Sequence, residues 1–442
     1  MVNITLALAV QAVIDRPEFA GCRWGVTARR RGVDLGDGAL LYENPGAQLF
    51  TTPASNNKLP TAYAAWLQLG PSYTFDTFLG VSASTDGVGV INYNVTLCGA
   101  GDPSLTSAQL TAAADQATDA VPGLKNAAAA YVTVRVDDRR SGDEPFPDSW
   151  EFGDLEYDYG APPAAIILDA NTVTVRVSAG AIPGDRVTAT ILEPGGEQCF
   201  TVSTSSAFTV GSGAGGVDAL LEVRSARLVL SVRGSLLAGS GHVDLVVACR
   251  DPLRRAGMAL VSTLKSAGVP SAHPAPEDGT TGAGGGFVVS NAPECNDSNN
   301  NAVTVSMTSA RLDVLLNHTL LESDNTYAEA VLRRLGDGGY ASGLSAVRSV
   351  LGGWGLDLSL LSQADGSGLT RHGLVTSTFL AALMSAADEA FVELLPLAGE
   401  TGTLSNRFIG TPAYGKLRAK TGGSRLAALC DRSYDQPRWR PT

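Results

Sequence analysis

The chain has 442 residues, 44% of them hydrophobic, and a formal net charge of −12. That apolar content belongs to a folded globular protein, and the length calls for more than one core. The acidic balance excludes the basic face that nucleic-acid binding needs, and the longest basic run is Arg29-Arg30-Arg31.

In chain order, residues 4–19 read as an amphipathic helix ending near Pro17. The apolar start lacks a cationic lead-in and a small-residue cleavage site, so no signal peptide is expected there. No uncharged apolar run reaches the roughly 18 residues of a membrane-spanning helix. Two antiparallel strands, 25–29 and 39–42, surround a Gly/Asp turn. A helix over 55–69 follows and is stopped by Gly70-Pro71. Pro60 is awkward in it, because a helix beginning at Ser55 leaves a first-turn carbonyl unpaired.

From about residue 85 to 300 the texture turns β-rich, with expected strands at 88–96, 131–136, 172–177, 186–191, 200–202, 226–232 and 243–247. One helical pattern, 252–267, closes the region. Gly211-Ser212-Gly213-Ala214-Gly215-Gly216 spells G-x-G-x-x-G, but no long helix follows it, so it reads as a turn and not as a nucleotide site. Residues 279–286 and 296–301 read as linker. Helices return at 309–321 and 325–335. The expectation is an α+β protein: a discontinuous domain of residues 1–84 and 301–442, interrupted by a β-rich insertion, 85–300, of two subdomains.

Six scattered cysteines without C-x-x-C read mainly as buried thiols. The four histidines, His242, His273, His318 and His372, show no H-E-x-x-H and no cluster with cysteine, so neither metal nor cofactor is expected. Asn94, Asn296 and Asn317 begin N-x-S/T sequons, which matter only on a secretory route.

The chemistry rests on three short motifs. Ser55 and Lys58 are three residues apart and share a helical face, with Cβ atoms about 5–6 Å apart. A neutral lysine there is able to take the serine's proton, and desolvation or a second cation would lower its pKa enough. Alone, S-x-x-K reads as chance or a solvated helix face. Ser323-Asp324-Asn325 alone reads as helix capping, and Lys420-Thr421-Gly422 as a strand entering a turn. Together and in this order they spell the S-x-x-K, S-D-N, K-T-G signature of penicillin-binding proteins and class A β-lactamases.

Further stretches narrow the resemblance. Gly99-Ala100-Gly101-Asp102-Pro103-Ser104-Leu105, Tyr159-Gly160-Ala161-Pro162-Pro163-Ala164-Ala165, Asp365-Gly366-Ser367-Gly368-Leu369-Thr370-Arg371, and Leu395-Pro396-Leu397-Ala398-Gly399 with Gly402-Thr403-Leu404 are similar to class C low-molecular-mass penicillin-binding proteins. These are D-alanyl-D-alanine carboxypeptidase/endopeptidases, and the resemblance runs from about residue 4 to 425. It implies a transpeptidase-like domain, an antiparallel sheet flanked by helices, carrying a large insertion. The implied substrate is a peptidoglycan stem peptide, with β-lactam antibiotics as covalent inhibitors.

By the same resemblance Ser55 is the acylated nucleophile and Lys58 its base. Ser323 relays a proton to the leaving amine, and Asn325 holds the substrate amide and Lys58. Lys420 and Thr421 bind the terminal carboxylate. The backbone N–H groups of Ser55 and Gly423 make an oxyanion hole, and Gly422 lets substrate lie along a strand edge. Asp154 and Tyr159, near Trp150-Glu151-Phe152-Gly153-Asp154, match positions that touch the free amino end of the peptide, and Arg371 faces the same pocket. The bland alternative for these three is an exposed acid, a packed aromatic and a solvated arginine.

Two other readings share the motifs. A β-lactamase needs a group that activates the deacylating water, yet the middle motif begins with Ser323 rather than Tyr and no E-x-x-L-N loop precedes Lys420. A cell-wall-binding protein that has lost catalysis is the other. The resemblance places the protein outside the cytoplasm, in a periplasm or cell wall, and the Ala/Gly-rich chain with several cysteines also fits a plastid. The family continues past its lysine-threonine-glycine strand with more strands and a helix. Here 426–429 reads as a strand and 431–437 as loop, which predicts an uncovered sheet edge and marginal stability.

Overall fold

A computed structural model describes residues 4–32, 39–85, 87, 89, 91–125, 130–137, 145–213, 215–224, 227–269, 272–274 and 301–423. The expectations for 279–286, 426–429 and 431–437, and for most of 296–301, lie outside these residues. The chain forms two compact units: unit 1 is Met1–Tyr73, Pro147–Glu151 and the described residues from Arg311 onward, and unit 2 is Thr74–Phe146 and Phe152–Ala310.

Unit 1 begins with helix α1 (Ile4–Ile14), none of whose residues is buried. Strands β1 (Thr27–Arg29) and β2 (Leu40–Glu43) pair antiparallel. A single 3-10 turn, Ala54–Asn57, runs into helix α2 (Lys58–Leu69), which ends at Gly70 with φ 82°. The α-helix thus starts at Lys58 and not at Ser55. This resolves Pro60, which falls in the first turn, where an N–H has no partner inside the helix. The first eight residues of α2, Lys58 to Ala65, are all buried, so this is a core helix and not a solvated one.

Unit 2 follows with β3 (Asp76–Thr85), β4 (Ile91–Cys98), α3 (Ser107–Ala120), β5 (Ala130–Asp137), β6 (Thr172–Ser178) and β7 (Thr188–Ile191). It continues with β8 (Thr201–Val210), β9 (Gly216–Arg224), β10 (Arg227–Leu237), β11 (His242–Ala248), α4 (Pro252–Ser266), β12 (Ala272–Pro274) and β13 (Asn301–Thr308). One sheet, ordered β12-β5-β4-β3-β13, shares a core with α3 and α4 through Leu79, Val95, Leu110, Val134 and Leu260. Two smaller sheets, β11-β6-β7 and β8-β10-β9, enclose a second core. Along β6 the alternation is strict: Val173, Val175 and Val177 point inward from Thr172 to Ser178.

Several expectations are corrected here. Helix α3 goes unannounced by the apolar pattern, because its Ser, Thr, Gln and Asp dilute the period. A reciprocal capping box between Thr106 and Gln109 marks its start. Strands β3 and β13 pair antiparallel and both belong to unit 2, so the seams lie at Tyr73 and Arg311 instead of 84 and 300. The described cysteines are not thiols. Cys199 and Cys249 form a disulfide inside the second core, Cys22 and Cys98 are also disulfide-bonded, and no described cysteine is free.

Back in unit 1 come α5 (Leu312–Leu321), α6 (Asn325–Leu335), α7 (Tyr340–Gly353), the short pair β14 (Leu361–Ser362) and β15 (Leu374–Val375), α8 (Ser377–Ala386) and α9 (Glu389–Val392). Their apolar faces, with Leu316, Leu332, Val347, Phe379 and Phe391, surround α2 in one cluster. The expected strand at Lys420-Thr421-Gly422 is not formed. Residues 419–423 make no ladder, and the nearest strand-like contact is a bridge between Arg418 and Leu397.

Candidate active site

The Ala54–Asn57 turn, which carries Ser55, is held in an unusual backbone shape. Ala54 has φ 47°, a left-handed value that side chains rarely adopt, and Ser323 has φ 62°. Gly368 packs against the first of them so closely that a Cβ there would sit 1.8 Å from the Ala54 carbonyl oxygen. Asn57 adds a second tie, its Nδ2 donating to the Asp365 carbonyl at 2.8 Å and to Asp365 Oδ1 at 3.0 Å.

Lys58, the first residue of α2, is wholly buried. Its Nζ lies 3.2 Å from Ser55 Oγ, 2.6 Å from Asn325 Oδ1 and 2.9 Å from the Ser367 carbonyl oxygen. Burial pulls its pKa down to about 8, against the opposing pull of Asp365, Glu329 and Asp324. Asn325 is placed by α6, whose N-cap Asp324 accepts from the Tyr327 N–H at 3.1 Å.

Lys420 is half-buried and donates to Ser323 Oγ at 2.8 Å and to the Thr421 carbonyl at 3.0 Å. Burial, and then the charge of Lys58, lower its pKa to about 7. Thr421 Oγ1 is 3.0 Å from Thr403 Oγ1. A Cβ on Gly422 would lie 2.6 Å from the Pro53 carbonyl oxygen, so only glycine fits this close to the turn that carries Ser55. Gly423 is exposed.

Beneath these groups lies a polar layer that motif reading did not find. Asp365 is fully buried, and its carboxylate accepts from the N–H groups of Gly368 and Thr370, each at 2.8 Å, and from Trp150 Nε1 at 3.0 Å. Glu329, also fully buried, accepts from the N–H groups of Gly366 and Ser367 at 2.9 and 2.8 Å. Asp365-Gly366-Ser367-Gly368 carries the resemblance, but sequence alone gives its residues no partner. Glu329 stands one helical turn after Asn325, and that spacing is its only signal in the sequence.

The remaining expected residues form two pairs. Tyr159 Oη donates to Asp154 Oδ1 at 3.2 Å within unit 2. Arg371 is ion-paired with Glu151 at 2.9 Å within unit 1. Among the described residues no group of His, Cys, Asp and Glu could hold a metal, and no helix is long and apolar enough to cross a membrane.

Comparison with known proteins addresses both the fold and the family. A family model described as the D-Ala-D-Ala carboxypeptidase 3 (S13) family matches residues 6–425. The D-alanyl-D-alanine carboxypeptidase of Actinomadura sp. (strain R39) is 30% identical over 441 residues, covering 93% of this chain and 75% of its own length. Penicillin-sensitive carboxypeptidase A of Dictyostelium discoideum is 26% identical over 426 residues, covering 91% and 77%. In fold, the chain is similar to penicillin binding protein 4 (dacB) from Haemophilus influenzae, with a TM-score of 0.68 at 24% identity over 90% of this chain and 84% of that one. The α+β fold with its insertion agrees with that likeness.

Proposed function

The chain belongs to the D-Ala-D-Ala carboxypeptidase 3 (S13) family, and from that premise we propose that Ser55 and Lys58 are its nucleophile and base in the removal of the terminal D-alanine from peptidoglycan stem peptides. The observation that carries the reading is the set of partners around Lys58 Nζ. A neutral amine has two N–H bonds and one lone pair. Asn325 Oδ1 and the Ser367 carbonyl can only accept, so they take both hydrogens, and the lone pair is left facing Ser55 Oγ.

The steps follow from that geometry. Ser55 Oγ passes its proton to Lys58 Nζ and bonds to the carbonyl carbon of the penultimate D-alanine. The first N–H groups of a helical turn have no partner inside it, so the Ser55 N–H is free to support the developing oxyanion, with Gly423 as second donor. The C–N bond then breaks, and the departing amine takes a proton through Ser323 Oγ, which Lys420 holds. Water cleaves the resulting ester and restores Ser55. Lys420 and Thr421 receive the terminal carboxylate. Cleavage of a longer peptide, as an endopeptidase, uses the same groups.

A β-lactam presents a strained amide to the same serine and forms an ester that persists. Disulfides at all four described cysteines support an oxidising compartment outside the cytoplasm. The deciding experiment is intact-mass analysis after incubation with benzylpenicillin. Wild-type protein is expected to gain one penicilloyl mass on Ser55, and Ser55→Ala none. A folded wild-type protein that gains no mass would falsify the assignment.

A further inference from the structure

Every partner of Lys58 except one is accounted for by a motif. The exception is the Ser367 carbonyl, a backbone group on the Asp365–Gly368 loop, and its direction depends on what holds that peptide in place. The Gly368 N–H of that same peptide donates to Asp365 Oδ1 at 2.8 Å, and just before it in the chain the N–H groups of Gly366 and Ser367 both point at one side chain, the carboxyl of Glu329, at 2.9 and 2.8 Å. Glu329 is fully buried and stands one turn along α6 from Asn325. Helix α6 therefore bears on both acceptors of the amine, on Asn325 directly and on Ser367 through Glu329, beside the tie that Asp365 makes to the Gly368 N–H.

We propose that Glu329 is a positioning residue for the acylation step: by clamping the Gly366 and Ser367 N–H groups it aims the Ser367 carbonyl at Lys58 Nζ, and so fixes the amine's lone pair on Ser55. The proposal rests on Ser55 and Lys58 being nucleophile and base. A carboxyl placed only to fill the core would be a poor choice, since burying an acid is costly and an apolar side chain of similar size would pack as well. What an apolar residue cannot do is accept two successive backbone hydrogens.

The charged and titratable neighbours of Glu329 are Asp365 on the loop, Lys58 on α2, Arg333 on its own helix and Tyr340 on α7. Burial, and then Asp365, push its own pKa up, the Gly366 and Ser367 N–H groups hold it down, and in its ionised form its charge favours the ammonium form of Lys58. Removing the charge while keeping the shape therefore has a signature that a packing role lacks.

The test measures the second-order rate of Ser55 acylation by a fluorescent penicillin across pH, with thermal melting of each variant alongside. Glu329→Gln keeps one acceptor and is expected to fold, to acylate roughly 100-fold more slowly, and to shift the rising limb of its pH profile downward. Glu329→Asp keeps the charge and is expected to recover part of the rate, with the limb at the wild-type position. Glu329→Gln labelled at the wild-type rate with an unmoved limb overturns the proposal. So does failure of both variants to fold, which would assign Glu329 to the core alone. A wild-type protein that takes no label on Ser55 instead defeats the nucleophile assignment, and the proposal falls with it.

Discussion

At the scale of single residues, the two lysines are the most informative groups, because each is uncharged for part of the accessible pH range. Lys58 is drawn to about 8 and Lys420 to about 7, each mainly by burial. The two titrate as a pair, and the proposed mechanism needs their shared proton on Lys420. In that proposal a substrate carboxylate beside Lys420 favours this arrangement, since an anion there favours the charged form. The sign for the reaction follows. Rising pH helps by freeing Lys58, and then harms by discharging Lys420, so kcat/KM for a D-Ala-terminated peptide should be bell-shaped with its top between the two values, as a property of the pair. A single limb that keeps climbing well above the higher value would contradict this. Ser55, Lys58, Ser323, Asn325 and Lys420 are legible in the sequence because each sits in a three- or four-residue spelling. Asp365, Glu329 and Trp150 are not, because their meaning lies in partners far along the chain: Glu329 meets Gly366 at a separation of 37 residues and Trp150 meets Asp365 at 215.

Among the elements, the tightest fit is between the Ser55 turn and the Asp365–Gly368 loop. Gly368 has φ 81° and no room for a Cβ against the Ala54 carbonyl, which itself belongs to a left-handed residue. Gly368→Ala is thus expected to push the loop away from the turn, separating the Ser367 carbonyl from Lys58. Acylation of Ser55 by benzylpenicillin, followed by stopped-flow, should fall by at least about 10-fold in protein that still melts cooperatively. Unchanged acylation would show that the close approach is relieved elsewhere. Strands with clean alternation, such as β6, are readable from their residues alone. The helix α3 and the pairing of β3 with β13 are not, since the first is too polar to show a period and the second joins segments separated by most of unit 2.

For the whole molecule, the disulfides matter most. The Cys199–Cys249 bond closes a 50-residue separation within the second core of unit 2. By loop-closure entropy its loss should cost that unit about 4 kcal/mol. The double variant Cys199→Ala/Cys249→Ala, compared with wild type in urea, should show that deficit, while Ser55 of the folded variant is still acylated at the wild-type rate, because the contacts of Lys58 and Lys420 described above lie in unit 1. A slower acylation per folded molecule would count against this separation. The order of those contacts along the chain has its own consequence. The nucleophile turn leaves the ribosome early, but the amine beside it must wait 267 residues for Asn325 and 309 for the Ser367 carbonyl. A nascent or prematurely terminated chain thus displays the serine with an ordinary, solvated ammonium beside it. The hydroxyl stays inert, and the antibiotic cannot poison a protein still being made.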